Sequence, residues 1–244
     1  MTQYRPPLLN LPPVVKNLLI INVLLLLATY LFKSKFDIDL RQQLGLFYPA
    51  SDLFRPHQIF THMFMHADIT HLFFNMFALF MFGRVLESVW GPKRFLSFYL
   101  ITGLGAALLH VLVAFIEYKV AISSIGADQL DYFKELAAQG KYIPGTVSEK
   151  ITSIMYSPTI GASGAVFGIL LGFGMLFPNT ELMLIFPPIP IKAKYFVIGY
   201  GVIELYLAFL NRPGDNIAHF AHLGGMLFGY ILIKYWQKNS NRFY

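Results

Sequence analysis

The chain has 244 residues, of which 56% are hydrophobic and 13% carry a charge. Soluble domains carry about 25% charged residues, so this composition indicates a membrane protein and excludes intrinsic disorder, which needs low hydrophobicity and high charge. The net charge is +6, and the placement of the basic residues decides whether it serves nucleic-acid binding or membrane topology. The chain has no cysteine, which excludes disulfides, thiolate nucleophiles and zinc sites with cysteine ligands.

Six apolar stretches are long enough, or nearly so, to cross a bilayer core, which takes about 20 helical residues. In chain order they are residues 14–32, 66–83, 95–116, 159–177, 195–210 and 216–233. We therefore predict an all-α membrane protein with a six-helix domain over residues 14–236, a short N-terminus at 1–13 and a tail at 237–244. The first stretch is expected to stay as a helix, because it is too long for a signal peptide and has no small-residue cleavage site.

The distribution of lysine and arginine predicts the orientation of the spans. On one side of the predicted bundle ten basic residues accompany two acidic ones, and on the other side nine accompany ten. Cytoplasmic loops carry the excess of basic residues, so both termini are predicted to be cytoplasmic. This pattern accounts for the positive charge without nucleic acid. We expect a multi-pass integral protein of the bacterial inner (plasma) membrane.

The two long external loops differ in character. Residues 33–65 are unusually aromatic and apolar for a solvated segment, and we expect this first external loop to be embedded in the membrane interface. Residues 117–158 form the second long loop, and the mixed-charge run at 128–139 has the spacing of a helix.

Polar side chains inside a membrane span are costly and usually functional, and three spans begin with them. They are His66, His71 and Asn75 in the second span, Ser163 within Gly161-Ala162-Ser163-Gly164 in the fourth, and His219 and His222 in the sixth. These three spans all run from the outside inward, so their first residues lie at one depth. A hydroxyl, imidazoles and an amide at one depth are the parts of acyl-transfer chemistry, which needs a nucleophile, a base and oxyanion donors.

Small residues predict that the fourth and sixth spans lie close together. They repeat along one face of each span, as Gly161, Gly164, Gly168 and Gly172 in the fourth and as Ala218, His222, Gly225 and Gly229 in the sixth. Small residues at this spacing let membrane helices approach closely, which a short hydrogen bond between a serine and a histidine requires.

Each polar feature also has a structural interpretation. Ser163 could be only a helix N-cap, and histidines inside a membrane are often just packed and hydrogen-bonded. His66 and His71 could bind a metal, but their spacing separates them by about 140° around a helix, and no carboxylate is placed to complete the site. The coincidence of the clusters at one depth favours catalysis, and we predict no metal.

The sixth span offers two candidates for the base. Three and seven residues after His222 stand Gly225 and Gly229, whereas the same positions after His219 hold His222 and Met226. The His222 side can therefore approach the fourth span, and the bulkier His219 side cannot. Because His219 also lies one turn nearer the outer surface, we interpret it as a surface or loop-anchoring residue.

The ordered set of motifs resembles the rhomboid intramembrane serine proteases over the whole six-helix chain. The matching motifs are Gly161-Ala162-Ser163-Gly164, where the family has Gly-x-Ser-Gly, then His66-x4-His71-x3-Asn75 and Ala221-His222-x2-Gly225-x3-Gly229. Weaker matches are Phe54-Arg55, where the family often has Trp-Arg, and Gly83-x3-Glu87. Gly-x-Ser-Gly alone is a weak signal, whereas all three in order on six spans are highly specific.

The resemblance implies a rhomboid-like bundle in which Ser163 is the nucleophile and His222 its general base, without a cofactor and without a carboxylate. The residues agree with the last point, since the second, fourth and sixth spans carry acids only at their mouths, Asp68 and Asp215. The resemblance further implies an oxyanion hole of His71, Asn75 and the Ser163 backbone N–H. The supporting positions are His66, Gly161 and Gly164.

The resemblance also makes the fifth span a lateral gate for substrate helices, and this span contains Glu204. We interpret Glu204 first as a residue that snorkels or hydrogen-bonds a neighbour, and second as an element of the gate.

The predicted function is that of an intramembrane serine endopeptidase whose partners are substrate transmembrane helices and the lipid bilayer. Two alternatives stay open. One is a catalytically silent member of the fold that binds membrane helices, and the other is a small transporter that relays protons through its histidines.

Overall fold

The computed structural model describes residues 11–183, 188–210 and 219–239, and most of them are helical. The helices are α1 (Pro13–Phe36), α2 (Leu40–Leu44), α3 (Gln58–Thr61), α4 (Ile69–Ala78), α5 (Arg84–Trp90), α6 (Pro92–Ser123), α7 (Ala127–Ala138), α8 (Val147–Tyr156), α9 (Ser163–Leu176), α10 (Ala193–Leu210) and α11 (His219–Asn239). A 3-10 turn (His62–Phe64) follows α3, and a π-helical turn (Leu79–Gly83) joins α4 to α5. Two short strands, β1 (Glu181–Met183) and β2 (Pro190–Lys192), pair antiparallel between α9 and α10.

Four of the described helices are long and apolar enough to cross a membrane, namely α1, the continuous segment Ile69–Trp90, α6 and α10. The central helix α9 has 14 residues and is buried over most of its length. The 21-residue α11 packs against both α6 and α9. Many large apolar side chains of the long helices are exposed on the outside of the bundle, as lipid contact requires. The prediction of an all-α membrane bundle is confirmed.

The helix that carries the serine begins later than the predicted span at 159–177. Thr159 and Leu46 exchange two backbone hydrogen bonds of 2.8 and 2.9 Å, so the chain is extended there. Gly161 then has a φ of +130°, a value that favours glycine. Because these residues cannot be helical, α9 starts at Ser163.

Other helix ends also differ from the predicted ones. The second span starts at Ile69 and not at residue 66, because the Asp68 carboxylate caps it by accepting the N–H of His71 at 2.8 Å. The third predicted span, 95–116, lies within α6, which extends to Ser123. The predicted helical run at 128–139 is confirmed as α7. Residues 216–218 of the sixth predicted span, and residues 1–10 and 240–244 of the predicted termini, lie outside the described residues.

The first external loop, residues 33–65, packs partly onto the bundle. Phe47 and Met65 are fully buried, whereas Ile59 and Phe60 are exposed. Aromatic and aliphatic side chains that point outward suit the boundary between headgroups and acyl chains. This exposure supports the predicted embedding of the loop in the membrane.

A buried carboxylate ties α5 to the start of α1. The two oxygens of Glu87 accept the backbone N–H groups of Val14 and Val15 at 2.9 and 2.7 Å. The first N–H groups of a helix have no partner within the helix, and the positive end of its dipole favours a negative charge there. Glu87 therefore acts as the N-terminal cap of α1 from a distant part of the chain.

Replacing Glu87 by alanine should destabilise the protein by about 2–4 kcal/mol, because one buried and one partly buried N–H group lose a charged acceptor. Thermal unfolding in detergent, followed by circular dichroism, measures the effect. Glu87→Gln keeps one acceptor oxygen and should fall between the alanine variant and the wild type. Equal unfolding temperatures for all three proteins would contradict the capping role.

Candidate active site

The structure brings the predicted nucleophile and base together. Ser163 is the first residue of α9, and His222 lies in the first turns of α11. His222 Nε2 lies 2.9 Å from Ser163 Oγ, which is hydrogen-bonding distance. The His222 ring also stacks on Phe167, with centroids 4.2 Å apart and planes at 8°. Phe167 stands one turn after Ser163, so the helix that presents the hydroxyl also fixes the plane of the imidazole.

Small residues allow this contact, and those of α9 also meet a second helix. A side chain at Gly225 would overlap the backbone carbonyl of Gly164, so α11 meets α9 through glycine as predicted. A side chain at Gly164 would collide with Ala106, and one at Gly168 with Thr102, both on α6. A Cβ atom at Gly229 of α11 would lie 3.4 Å from Gly168 Cα, so the glycines of α9 meet α11 as predicted and meet α6 as well. The three helices pack together beside Ser163.

Because Gly161 has no side chain, the predicted oxyanion residue His71 can lie beside the serine. A Cβ atom at Gly161 would lie 3.0 Å from both Cε1 and Nε2 of His71 and 3.5 Å from Ser163 Oγ. A larger residue would therefore disturb the serine and the imidazole together. His71 Nδ1 accepts the backbone N–H of Ala67 at 3.3 Å, which leaves the ring proton on Nε2, the nitrogen that faces Gly161.

Asn75 and His66 support His71 from two sides. Asn75 is buried, and its Nδ2 donates to the backbone carbonyl of His71 at 3.0 Å. The His66 ring packs edge-on against the His71 ring, with centroids 5.0 Å apart. His66 lies before the start of α4, and burial lowers its pKa to about 3. His66 is therefore neutral and places no positive charge beside His71.

A carboxylate that the sequence analysis did not assign to the site joins it from α10. Glu204 Oε2 lies 2.9 Å from His222 Nδ1 and 2.6 Å from His219 Nδ1. All three residues are buried, with 6%, 8% and 6% of Glu204, His222 and His219 exposed. The interpretation of His219 as a surface residue is wrong, because it turns inward to Glu204. The second, fourth and sixth spans do lack a carboxylate at this depth, but the fifth supplies one.

Glu204, His219 and His222 could also be considered as metal ligands, since their ligand atoms lie within 4.8 Å of one another. Two ligands of a tetrahedral zinc ion, each about 2.0–2.1 Å from the metal, are about 3.3 Å apart. The observed separations of 2.6 and 2.9 Å are those of hydrogen bonds. The group fits a proton-sharing arrangement better than a metal site.

A small cavity of about 20 Å³ lies beside the serine. Ser163, His62 and Thr159 supply polar groups to its lining, and Gly103 and Ala106 of α6 close another side. A polar cavity of this size can hold one water molecule. Water can therefore be held within reach of the hydroxyl.

The Rhomboid domain family profile matches residues 53–238, so the chain belongs to the rhomboid family. It is 28% identical over 193 residues to rhomboid protease AarA of Providencia stuartii, covering 73% of this chain and 57% of that protein. It is 29% identical over 191 residues to the mitochondrial RHOMBOID-like protein 12 of Arabidopsis thaliana, covering 78% and 49%. It is 26% identical over 183 residues to the mitochondrial Rhomboid protein 1 of Saccharomyces cerevisiae, covering 73% and 42%.

These relatives confirm the resemblance drawn from the motifs, and they bear on the membrane in which the protein resides. The chain spans about half the length of the curated relatives it matches. Two of the three are mitochondrial by name, which weighs against the expected bacterial inner membrane. The placement in a membrane rests on the four apolar helices.

Proposed function

We propose that the protein is a serine endopeptidase that cleaves transmembrane helices of other membrane proteins by means of Ser163 and His222. The observation that carries this proposal is the 2.9 Å contact between His222 Nε2 and Ser163 Oγ, in a chain of the rhomboid family. A silent helix-binding member has no need of a hydroxyl against an imidazole. A proton-relaying transporter needs polar groups that continue across the membrane, and the buried part of α9 after Ser163 consists of apolar residues and glycine.

In the proposed reaction, Ser163 Oγ attacks the carbonyl carbon of a substrate peptide bond while its proton passes to His222 Nε2. A negative charge develops on the former carbonyl oxygen. The carbon–nitrogen bond then breaks, and the leaving amine takes the proton from His222. Water then attacks the carbonyl carbon of the Ser163 ester while one of its protons passes to His222 Nε2. The bond between that carbon and Ser163 Oγ breaks, and Oγ takes the proton back from His222.

His71 and Asn75 are the proposed donors to the developing oxyanion, together with the Ser163 backbone N–H. His71 carries its proton on Nε2, beside Gly161 and the serine. The Asn75 amide donates to a backbone carbonyl in the free protein. Turning toward the substrate would exchange that neutral acceptor for a charged one, which makes a stronger hydrogen bond.

The proposed substrates are membrane helices that unwind near the predicted external face. A helix satisfies its own backbone groups in lipid, so its peptide bonds are shielded until it opens locally. Segments with glycine, alanine, serine or proline near the membrane edge open most readily. The cavity beside Ser163 is large enough to hold the second reactant, a water molecule.

Covalent labelling by a fluorophosphonate tests the proposal in one assay. The purified protein in detergent should gain one label on Ser163, seen by mass spectrometry of the intact chain and of its peptides, because the reagent requires an activated serine. No label on the folded protein would exclude the protease and leave the silent or transporter alternatives.

Replacing Asn75 by alanine should lower kcat by about 10²–10³ with little change in KM, as expected for the loss of one oxyanion donor. The measurement is steady-state cleavage of a transmembrane reporter in liposomes. Asn22→Ala is the matched control, because Asn22 is another buried asparagine that donates to the carbonyl four residues earlier, but on α1. If KM rose and kcat stayed constant, Asn75 would belong to substrate binding.

A further inference from the structure

The structure assigns to Glu204 the role of a positioning residue that sets the tautomer of His222. This inference rests on the proposed function and extends the pair of Ser163 and His222 to an arrangement of three residues. Its third member stands on α10, outside the three spans in which the motifs lie.

The hydrogen bonds determine where the protons lie. Glu204 Oε2 faces the Nδ1 atoms of both His222 and His219, at 2.9 and 2.6 Å. An ionised carboxylate only accepts hydrogen bonds, so each Nδ1 must carry a proton. A neutral His222 with its proton on Nδ1 has a free lone pair on Nε2. That nitrogen is the one 2.9 Å from Ser163 Oγ, so Glu204 holds His222 ready to accept the serine proton.

Glu204 also suits the charged state that follows. When Ser163 loses its proton, His222 becomes an imidazolium whose Nδ1–H already points at Oε2. Burial makes this attraction stronger than it would be in water. A serine–histidine–carboxylate arrangement works in this way in unrelated hydrolases, where the carboxylate orients and stabilises the imidazole without taking its proton.

His219 fixes the carboxylate in turn. Its Nδ1 is 2.6 Å from the oxygen that His222 uses, so Glu204 is held between two imidazoles on one side of α11. A buried carboxylate is costly unless it is paired and hydrogen-bonded, and the two histidines meet that requirement. Removing His219 leaves the contact with His222 in place, so the tautomer should survive its loss.

The competing explanation is that Glu204 only ties α10 to α11 and keeps the predicted gate closed. The two explanations differ for Glu204→Gln, which keeps the shape and can still hydrogen-bond both histidines. A glutamine amide can donate to Nδ1, which would move the His222 proton to Nε2 and leave Ser163 without an acceptor. It also removes the charge. If Glu204 only held α10 against α11, kcat and the labelling rate of Glu204→Gln would stay near the wild-type values.

The experiment compares wild type, Glu204→Gln and Glu204→Ala for reporter cleavage in liposomes and for the rate of fluorophosphonate labelling. We expect both variants to lose at least about tenfold in kcat and in labelling rate, with KM within about twofold, because the carboxylate that orients the general base is lost. The control is Glu87→Gln, another buried glutamate on a different helix. It should lower the unfolding temperature and leave kcat unchanged below it.

Three results would overturn the inference. One is Glu204→Gln with kcat and labelling within about twofold of wild type. The second is a change in KM or reporter cleavage with unchanged labelling by the small reagent, which would make Glu204 a gate element. The third is the other His222 tautomer in the wild type. Absence of labelling in the wild type would instead defeat the proposed function itself.

The tautomer can be read without any Glu204 variant. Nitrogen NMR of protein with ¹⁵N-labelled histidine distinguishes a protonated from an unprotonated ring nitrogen. His222→Ala identifies the His222 signals among those of the seven histidines. We expect a protonated Nδ1 and an unprotonated Nε2 on His222 at neutral pH. The opposite assignment would contradict the positioning role even if every Glu204 variant failed to fold.

Discussion

Replacing Ser163 by alanine should abolish cleavage of a transmembrane reporter by the purified protein, with a loss of about 10⁴-fold or more. The variant removes the oxygen that lies 2.9 Å from His222 Nε2. The fold should persist, because the change deletes one half-buried hydroxyl at the start of α9 and alanine is a good helix former. Reporter cleavage in liposomes and the unfolding temperature are measured on the same preparation.

Ser157→Ala provides the matched control. Ser157 follows α8, six residues before the proposed nucleophile, and its side chain is exposed. This variant should cleave and label like the wild type. Cleavage by purified Ser163→Ala at a near wild-type rate would contradict the assignment of the nucleophile. A variant that fails to fold would be recognised by its unfolding curve.

The meeting of Ser163 and His222 could be predicted from the sequence because two separate patterns agree on it. Polar residues at the start of alternate spans fix a common depth, and glycines at helical spacing mark the faces that can approach. The structure agrees with this pattern, because any side chain at Gly225 would overlap the backbone of Gly164.

The identity of each neighbour could not be predicted in the same way. Helical spacing shows that Gly164 and Gly168 share a face, but it does not show that this face packs against α6 as well as against α11. The first residue of α9 also cannot be predicted from hydropathy. It depends on the backbone pairing of Thr159 with Leu46, which lies more than a hundred residues earlier.

The sequence marks Glu204 as unusual, but only the packing of the helices shows which residues it contacts. A charge within an apolar span is costly and calls for a partner, and we expected a neighbour to hydrogen-bond it. The partner was not identifiable because α10 has no motif that ties its rotation to α11. Once the helices are packed, one oxygen of Glu204 reaches both histidines, and the carboxylate lies against the proposed base.

Replacing His222 by alanine should remove both hydrolysis and fluorophosphonate labelling, because an unassisted serine is a poor nucleophile. His219→Ala should keep most of the activity. The Nδ1 atom of His219 contacts Glu204 Oε2, and losing this hydrogen bond to the carboxylate should cost less than about tenfold. Kinetics with the reporter and labelling rates measure both variants under identical conditions.

The two histidines are matched controls for each other, since both are buried on α11, three residues apart, and both contact Glu204 Oε2. They differ in Nε2, which on His222 faces Ser163 Oγ. An inactive His219→Ala beside an active His222→Ala would reverse the assignment of the base. Two equally inactive but folded variants would mean that the carboxylate needs both imidazoles, and the loss in labelling rate should then match that of Glu204→Ala.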